Sequence, residues 1–318
     1  MRNLRARART RGRFGDALLY GLCAVACVLT ALVLVDIAYE VVKGARLSIS
    51  HFGLGFVGHT VWKPNPPFNA YGAAVFLFGT AVTSTMALLI AAPVGIAIGL
   101  YMSLLAPGKV RSVVGPLVEM LAAIPSVILG LWGILILGPF LNRHVEPWLH
   151  DKLGFIPLFG RVPTTGASIF TASLILAIMV VPIIASISRD LFLTVPRELQ
   201  DGALALGATR WESVRGVVLP STASGVAAAC FLGLGRALGE AIAVTQVIGA
   251  GNAINKSLFA TGDTLASRIA AQFQGADPGL HRSSLFYLAA ILLVIGLVTN
   301  LLAQWISRRF DYQVAVAR

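Results

Sequence analysis

Six apolar runs dominate this chain, and each is long enough to cross a lipid bilayer. They occupy residues 16–39, 71–105, 112–141, 166–188, 221–249 and 284–307. A bilayer core takes about 20 apolar residues per helix. Lipid offers a peptide group no hydrogen-bond partner, so runs of this length close their own bonds as helices. The run 71–105 carries no charged side chain over 35 positions, a length of about 52 Å as helix. It reads either as one long tilted helix kinked at Pro93 or as a tight pair. With 57% hydrophobic and 12% charged residues, against roughly 25% charge in soluble domains, the chain lacks the polar surface to coat a water-soluble globule.

Charge placement decides the count. Arg2, Arg5, Arg7, Arg9, Arg11 and Arg13 precede the first run. That run is too long for a signal-peptide core and has no convincing small-residue cleavage site. With six spans and the N-terminus inside, fifteen Lys and Arg fall in the cytoplasmic pieces and nine in the longer external loops. Splitting 71–105 would move the basic loop 189–215 outside, against the positive-inside rule. The expectation is an all-α polytopic protein with six transmembrane helices and both termini cytoplasmic, in a bacterial inner membrane. The net charge of +11 is then a topological signal, and no nucleic-acid partner is expected. Cys23, Cys27 and Cys230 lie inside apolar runs with no disulfide or metal spacing.

Small residues recur in the spans, including Gly95, Gly99, Gly225, Gly233, Gly235 and Gly239, as in helix interfaces within membranes. Two external stretches have four-residue apolar spacing: Leu141, Val145, Leu149 and Leu153, then Leu265, Ile269 and Phe273. Both are predicted as short amphipathic helices at the outer interface, as anchors or as docking elements. His144 and His150 in the first are read as surface residues.

The longest internal cytoplasmic segment is patterned: PRELQDGALALGATRWESVRGVVLP, residues 196–220. Leu199, Ala203, Leu206 and Ala208 predict a short helix stopped near Gly207, then a turn around 211–214, with Pro220 opening the next span. This segment resembles the cytoplasmic loop of ABC-importer permeases, in which EAA, three residues, G, nine residues, I, one residue and LP follow in order. Asp201, Gly202 and Ala203 stand at EAA, Gly207 at the glycine, Val217 at the isoleucine, and Leu219 and Pro220 at LP. Asp for Glu keeps the charge, while Gly for Ala weakens the helix by up to about 1 kcal/mol. The resemblance implies a coupling helix seated on a separate ATPase subunit that holds ATP and Mg. No phosphate-binding GxxxxGK[ST] stretch or catalytic constellation occurs here, so the chain is expected to bind no cofactor and not to be an enzyme.

Arg236 and Glu240 interrupt the fifth run within GLGRALGEAIAVT. A charge at the bilayer centre costs at least about 2.5–3.5 kcal/mol, so it persists when paired or when facing a cavity. The i,i+4 spacing predicts both on one helix face within reach of each other, either as a neutral packing pair or as a pathway site. A guanidinium fork suits a tetrahedral oxyanion, without choosing among phosphate, sulfate and molybdate. The resemblance does choose. GLGRALGEAIAVT is similar to the fifth-span signature of phosphate-importer permeases, in particular the PstC-type subunit. Residues 69–99, EMLAAIPSVILGLWG at 119–133 and PGLH at 278–281 add to it.

That resemblance covers residues 69–309. It implies a type I importer permease fold paired with a homologous second permease subunit, two ATPase subunits and an external phosphate-binding protein. It also places Arg236 and Glu240 in the substrate path. The expected division is a basic N-terminus 1–15, a first span with external loop 16–68, a permease core 69–309 containing the coupling loop 196–220, and a tail 310–318. Glu119 is either a packing or interfacial carboxylate or a gate residue. Pro125 is expected to kink the third span, with Ser126 bonding freed carbonyls or lining the path. Two rival readings are a same-family permease for sulfate or molybdate and a membrane sensor. The sensor would need an output domain larger than the 32 residues of 189–220.

Overall fold

A computed structural model of the chain describes residues 2–64 and 69–316, with side chains from 15 to 306. The side chains of the basic cluster 2–13 and of the tail 310–318 fall outside the described residues. Among the described residues, six helices are long and apolar enough to cross a membrane: within α1 (Arg2–Phe52) from Gly15, then α2 (Ala74–Leu105), α4 (Ser126–Leu153), α5 (Ile169–Thr194), α7 (Arg210–Gly239) and α10 (Leu280–Val316) up to Ile306. Shorter helices lie between them: α3 (Gly108–Ala122), α6 (Arg197–Ala205), α8 (Ile242–Val247) and α9 (Leu265–Gln272).

The run 71–105 forms one helix with Pro93 inside it. The third span differs from its sequence reading. Pro125 has no amide proton for the ladder, and the chain leaves helix at 123–125. Residues 108–122 therefore form a separate helix laid against α5, and the crossing helix starts at Ser126. It continues to Leu153 and absorbs the stretch predicted as an outer interfacial helix.

α5 is the hub. The most apolar window of α5 is 67% buried, against 0% for α1, so α1 is a peripheral helix that meets the bundle near its C-terminal end. There Ser48 Oγ bonds Ser284 Oγ of α10 at 3.1 Å, and the Ser48 amide donates to Ser283 Oγ at 2.9 Å. α2 packs along α5 at glycines. A Cβ on Gly95 would lie 2.9 Å from Ile184 Cβ, and one on Gly99 would lie 3.0 Å from the Arg189 backbone nitrogen. Gly225 and Gly233 of α7 meet Leu191 and Val180 of α5 in the same way. Such contacts replace the hydrophobic force that lipid does not supply between helices.

The first turn of α5 is completed by a distant segment. Its Ile169 and Phe170 amides donate to the carbonyls of Ala260 and Leu258 at 3.0 and 2.8 Å, and Ser168 Oγ accepts from the Thr171 amide. These are donors that a helix start leaves unpaired. The supplying segment 257–264 returns after a turn at Gly249 (φ +85°) and Ala250 (φ +53°), with Gly251 and Gly262 bonded at 2.7 Å. It then crosses α2 so closely that a Cβ on Gly79 would lie 1.9 Å from the Asp263 carbonyl oxygen.

Gly79→Ala is therefore expected to lower stability by about 1–3 kcal/mol, read as a fall in the thermal unfolding midpoint in detergent. Gly21→Ala, at a site with nothing within 4 Å, should leave that midpoint unchanged.

Candidate functional site

α7 stops at Gly239, inside the fifth apolar run. Glu240 is extended (φ −71°, ψ 115°), and helix resumes at Ile242. The stub α8 turns inward and seats Ala243, Val244, Val247 and Ile248 in the core. It can do so because α4 offers glycines there: a Cβ on Gly130 would lie 2.8 Å from Ala243 Cα, and one on Gly133 2.8 Å from Val247 Cγ1. Irregular backbone at membrane depth is tolerated where protein or a cavity receives it.

The break corrects the pairing expected from i,i+4 spacing. Glu240 has left the helix, and no ion pair or hydrogen bond joins it to Arg236 among the described residues. Arg236 is exposed and Glu240 half-buried. Arg236 borders a cleft of about 810 Å³ between α7 and α10. Gly235 and Gly239, expected among the packing glycines, have nothing within 4 Å, so the arginine stands on an open face.

At the other end of α7, α6 buries none of its residues and exposes Leu199 and Leu204; Leu206 and Trp211 beyond it are 91% and 64% exposed. Asp201, Gly202 and Ala203 lie on α6. Gly207 ends it in the left-handed region (φ +87°), and the Ala208 amide donates to the Ala203 carbonyl at 3.1 Å. Thr209 and Glu212 then form a capping box that starts α7 at Arg210, earlier than the Pro220 start read from sequence. Leu219 and Pro220 lie inside the continuous helix. A wider turn over Val214–Val218, in which the Leu219 amide reaches Val214 O, takes up the missing proline amide. Val218, Phe192, Val195 and Val226 fasten this base to α5.

Glu119 of α3 accepts a 3.1 Å hydrogen bond from Arg189 Nη1 at the end of α5. Ser126 occupies the first turn of α4, and among the described residues its side chain bonds no carbonyl. The freed-carbonyl reading is not what the backbone does: Pro125 breaks the helix and leaves no kink to repair.

Residues 95–312 match the family described as binding-protein-dependent transport system inner membrane component. The chain is 41% identical over 91% of its length to the phosphate transport system permease protein PstC of Xylella fastidiosa (strain Temecula1 / ATCC 700964), covering 88% of that protein. It is 38% identical to PstC 1 of Mycobacterium tuberculosis, with 96% of both chains covered. The chain belongs to the PstC permease family. Among solved structures, a chain of a bacterial alginate ABC transporter superposes with TM-score 0.58 at 18% identity, covering 89% of this chain and 94% of that one. The MetNI methionine ABC transporter gives 0.52 at 19%, covering 74% and 96%. The permease thus has the type I ABC-importer fold and is a multi-pass membrane protein.

Sequence reading missed the most buried ion pair among the described residues. Asp263 Oδ2 and Arg268 Nε lie 2.8 Å apart, with side chains 4% and 6% exposed. Arg268 also donates to Asn252 Oδ1 and stacks over Phe76 with its guanidinium carbon 4.7 Å from the ring centre. Burial pushes the Asp263 carboxyl up and the Arg268 guanidinium down, each partly offset by the other's charge. The apolar spacing of 265, 269 and 273 correctly marks α9 as a helix. Its start, however, is buried against α2, with the Leu265 amide bonded to Thr80 Oγ1 at 3.0 Å. Glu146 was missed as well: fully buried, it accepts from Asn142 Nδ2 and Ser168 Oγ, both at 3.1 Å.

Asp263→Asn is expected to cost about 3–5 kcal/mol by stranding a buried cation. Adding Arg268→Met should restore most of the thermal midpoint in detergent. A bulky residue at Gly207 carries about 1–2 kcal/mol of left-handed strain. It should leave the protein at normal membrane abundance while uptake per ATP hydrolysed falls in the assembled importer.

Proposed function

We propose that this permease is the PstC-type half of the membrane channel of an ATP-driven inorganic phosphate importer. The observation that carries the reading is an unpaired arginine at a helix break of the fifth span, in a chain 41% identical along nearly its whole length to a phosphate transport permease. Arg236 offers a planar fork of donors to a tetrahedral oxyanion. Glu240, released from the helix at the break, stands close in sequence as a competing anion that keeps the arginine from holding its cargo too tightly.

The partners follow from the same reading. A homologous second permease subunit covers the open Arg236 face and completes the pathway. A phosphate-binding protein delivers substrate at the end carrying α9 and the 249–264 segment. Two ATPase subunits, holding ATP and Mg, receive the apolar face of α6 with Asp201, Gly202, Ala203 and Gly207. Both termini and the 196–220 loop then face the cytoplasm of a bacterial inner membrane. Closure of the ATPases pushes α6, and the Phe192–Val218 cluster passes that displacement to α5 and α7. Helix α7 runs unbroken from the coupling loop to the arginine, so movement at one end reaches the other along a rigid rod.

Arg236→Gln should insert and assemble normally yet lower phosphate uptake about a hundredfold, the weight of two charge-assisted hydrogen bonds. Unlabelled phosphate should compete with the wild-type signal, and sulfate and molybdate should not. Wild-type uptake from the variant rejects the pathway role, and competition by sulfate or molybdate rejects the substrate.

A further inference from the structure

The cleft beside Arg236 has a second wall, on α10, and that wall is polar. From residue 284 to 306 this helix has no charged side chain, and its most apolar window has a mean hydropathy of 2.5. Three polar side chains nonetheless line the cleft from it: Thr299, Asn300 and Gln304. The Thr299 hydroxyl is spent on its own helix, donating to the carbonyls of Ile295 and Gly296, each at 2.9 Å. Asn300 and Gln304 make no hydrogen bond to any described residue. They stand four residues apart, so they share a helix face about 6 Å apart along the axis. Gly235 and Gly296 line the same cleft with nothing within 4 Å of either, leaving room in front of the amides.

We infer that Asn300 and Gln304 form a neutral hydrogen-bonding relay that takes the oxyanion from Arg236 and passes it along α10 toward the ATPase end. The inference rests on Arg236 being in the pathway. α10 runs antiparallel to α7, so the step from 300 to 304 leads away from the midplane toward the end where α7 begins. Each carboxamide presents two N–H donors without net charge. Neutral donors replace part of the hydration shell of an anion, and they do not deepen the well that Arg236 already makes, as a second cation would. An unpartnered amide in a membrane helix needs either a ligand, water or another helix. The open cleft with an arginine in it favours the ligand.

The test uses the complete importer in proteoliposomes, with phosphate-loaded binding protein outside and Mg-ATP inside, reading labelled phosphate uptake and ATP hydrolysis together. The pair Asn300→Leu/Gln304→Leu is expected to reduce uptake at least about tenfold, the weight of one hydrogen bond to a charged group. Hydrolysis stimulated by the loaded binding protein should persist. The near-isosteric pair Asn300→Asp/Gln304→Glu keeps shape and polarity while repelling anions, and it should lose uptake as well. Uptake within twofold of wild type in either pair overturns the relay. Loss of the second permease subunit from the purified complex in both pairs overturns it too, since the amides would then be interhelical contacts. Arg236→Gln run beside them separates the two readings. If it abolishes uptake while the paired variants transport normally, the relay alone falls; if it transports normally, the pathway assignment falls first.

Discussion

A peptide group in lipid has no water to turn to, and this single constraint organises the fold. At three places where the chain leaves helix within the bundle, other protein meets the freed backbone. The start of α5 is completed by the carbonyls of Leu258 and Ala260. The turn at Gly249 and Ala250 is closed by the Gly251–Gly262 bond. After the break at Glu240, the chain is received by glycine-lined space on α4. The break just after Arg236 is thus supported by the same close packing that holds the bundle together.

Glycine provides that packing, and its distribution separates packed helix faces from open ones. Gly79, Gly95, Gly99, Gly130, Gly133, Gly225 and Gly233 each face a neighbour that a Cβ would strike. Gly235, Gly239 and Gly296 face nothing. The first group ties α2, α4 and α7 to α5 and to the returning segment. The second lies around Arg236 and its cleft, on an open face. Sequence shows both groups as one small-residue pattern. Only the positions of neighbouring helices divide them.

The buried Asp263–Arg268 pair plays a different part. It lies in the segment that also caps α5 and touches Gly79 of α2, so it joins a charged strut to three elements at the end away from the coupling loop. A pair buried to this degree gives weak net stability, because desolvation offsets attraction. Its geometry nevertheless fixes one register, with Asn252, Ser267 and the Thr264 amide all bonded into the same network. A fixed rim at this end and a continuous α7 suit the pathway proposed above.

Much of this was legible in the sequence. Six crossings, a single helix over 71–105 and a helix ending at Gly207 follow from hydropathy, charge asymmetry and local turn chemistry, all of which act over a few neighbouring residues. Arg236 stood out because a charge in an apolar run is costly wherever the helix faces. The break at Glu240, the burial of Arg268 and the shared cleft of Arg236, Asn300 and Gln304 were decided only in three dimensions. A helix break survives where a distant segment covers its backbone, and a polar side chain finds its role from the helix placed opposite. The sequence by itself determined how many helices cross and which residues are out of place in lipid. The tertiary structure decided which of those residues meet, because their partners lie tens of residues away.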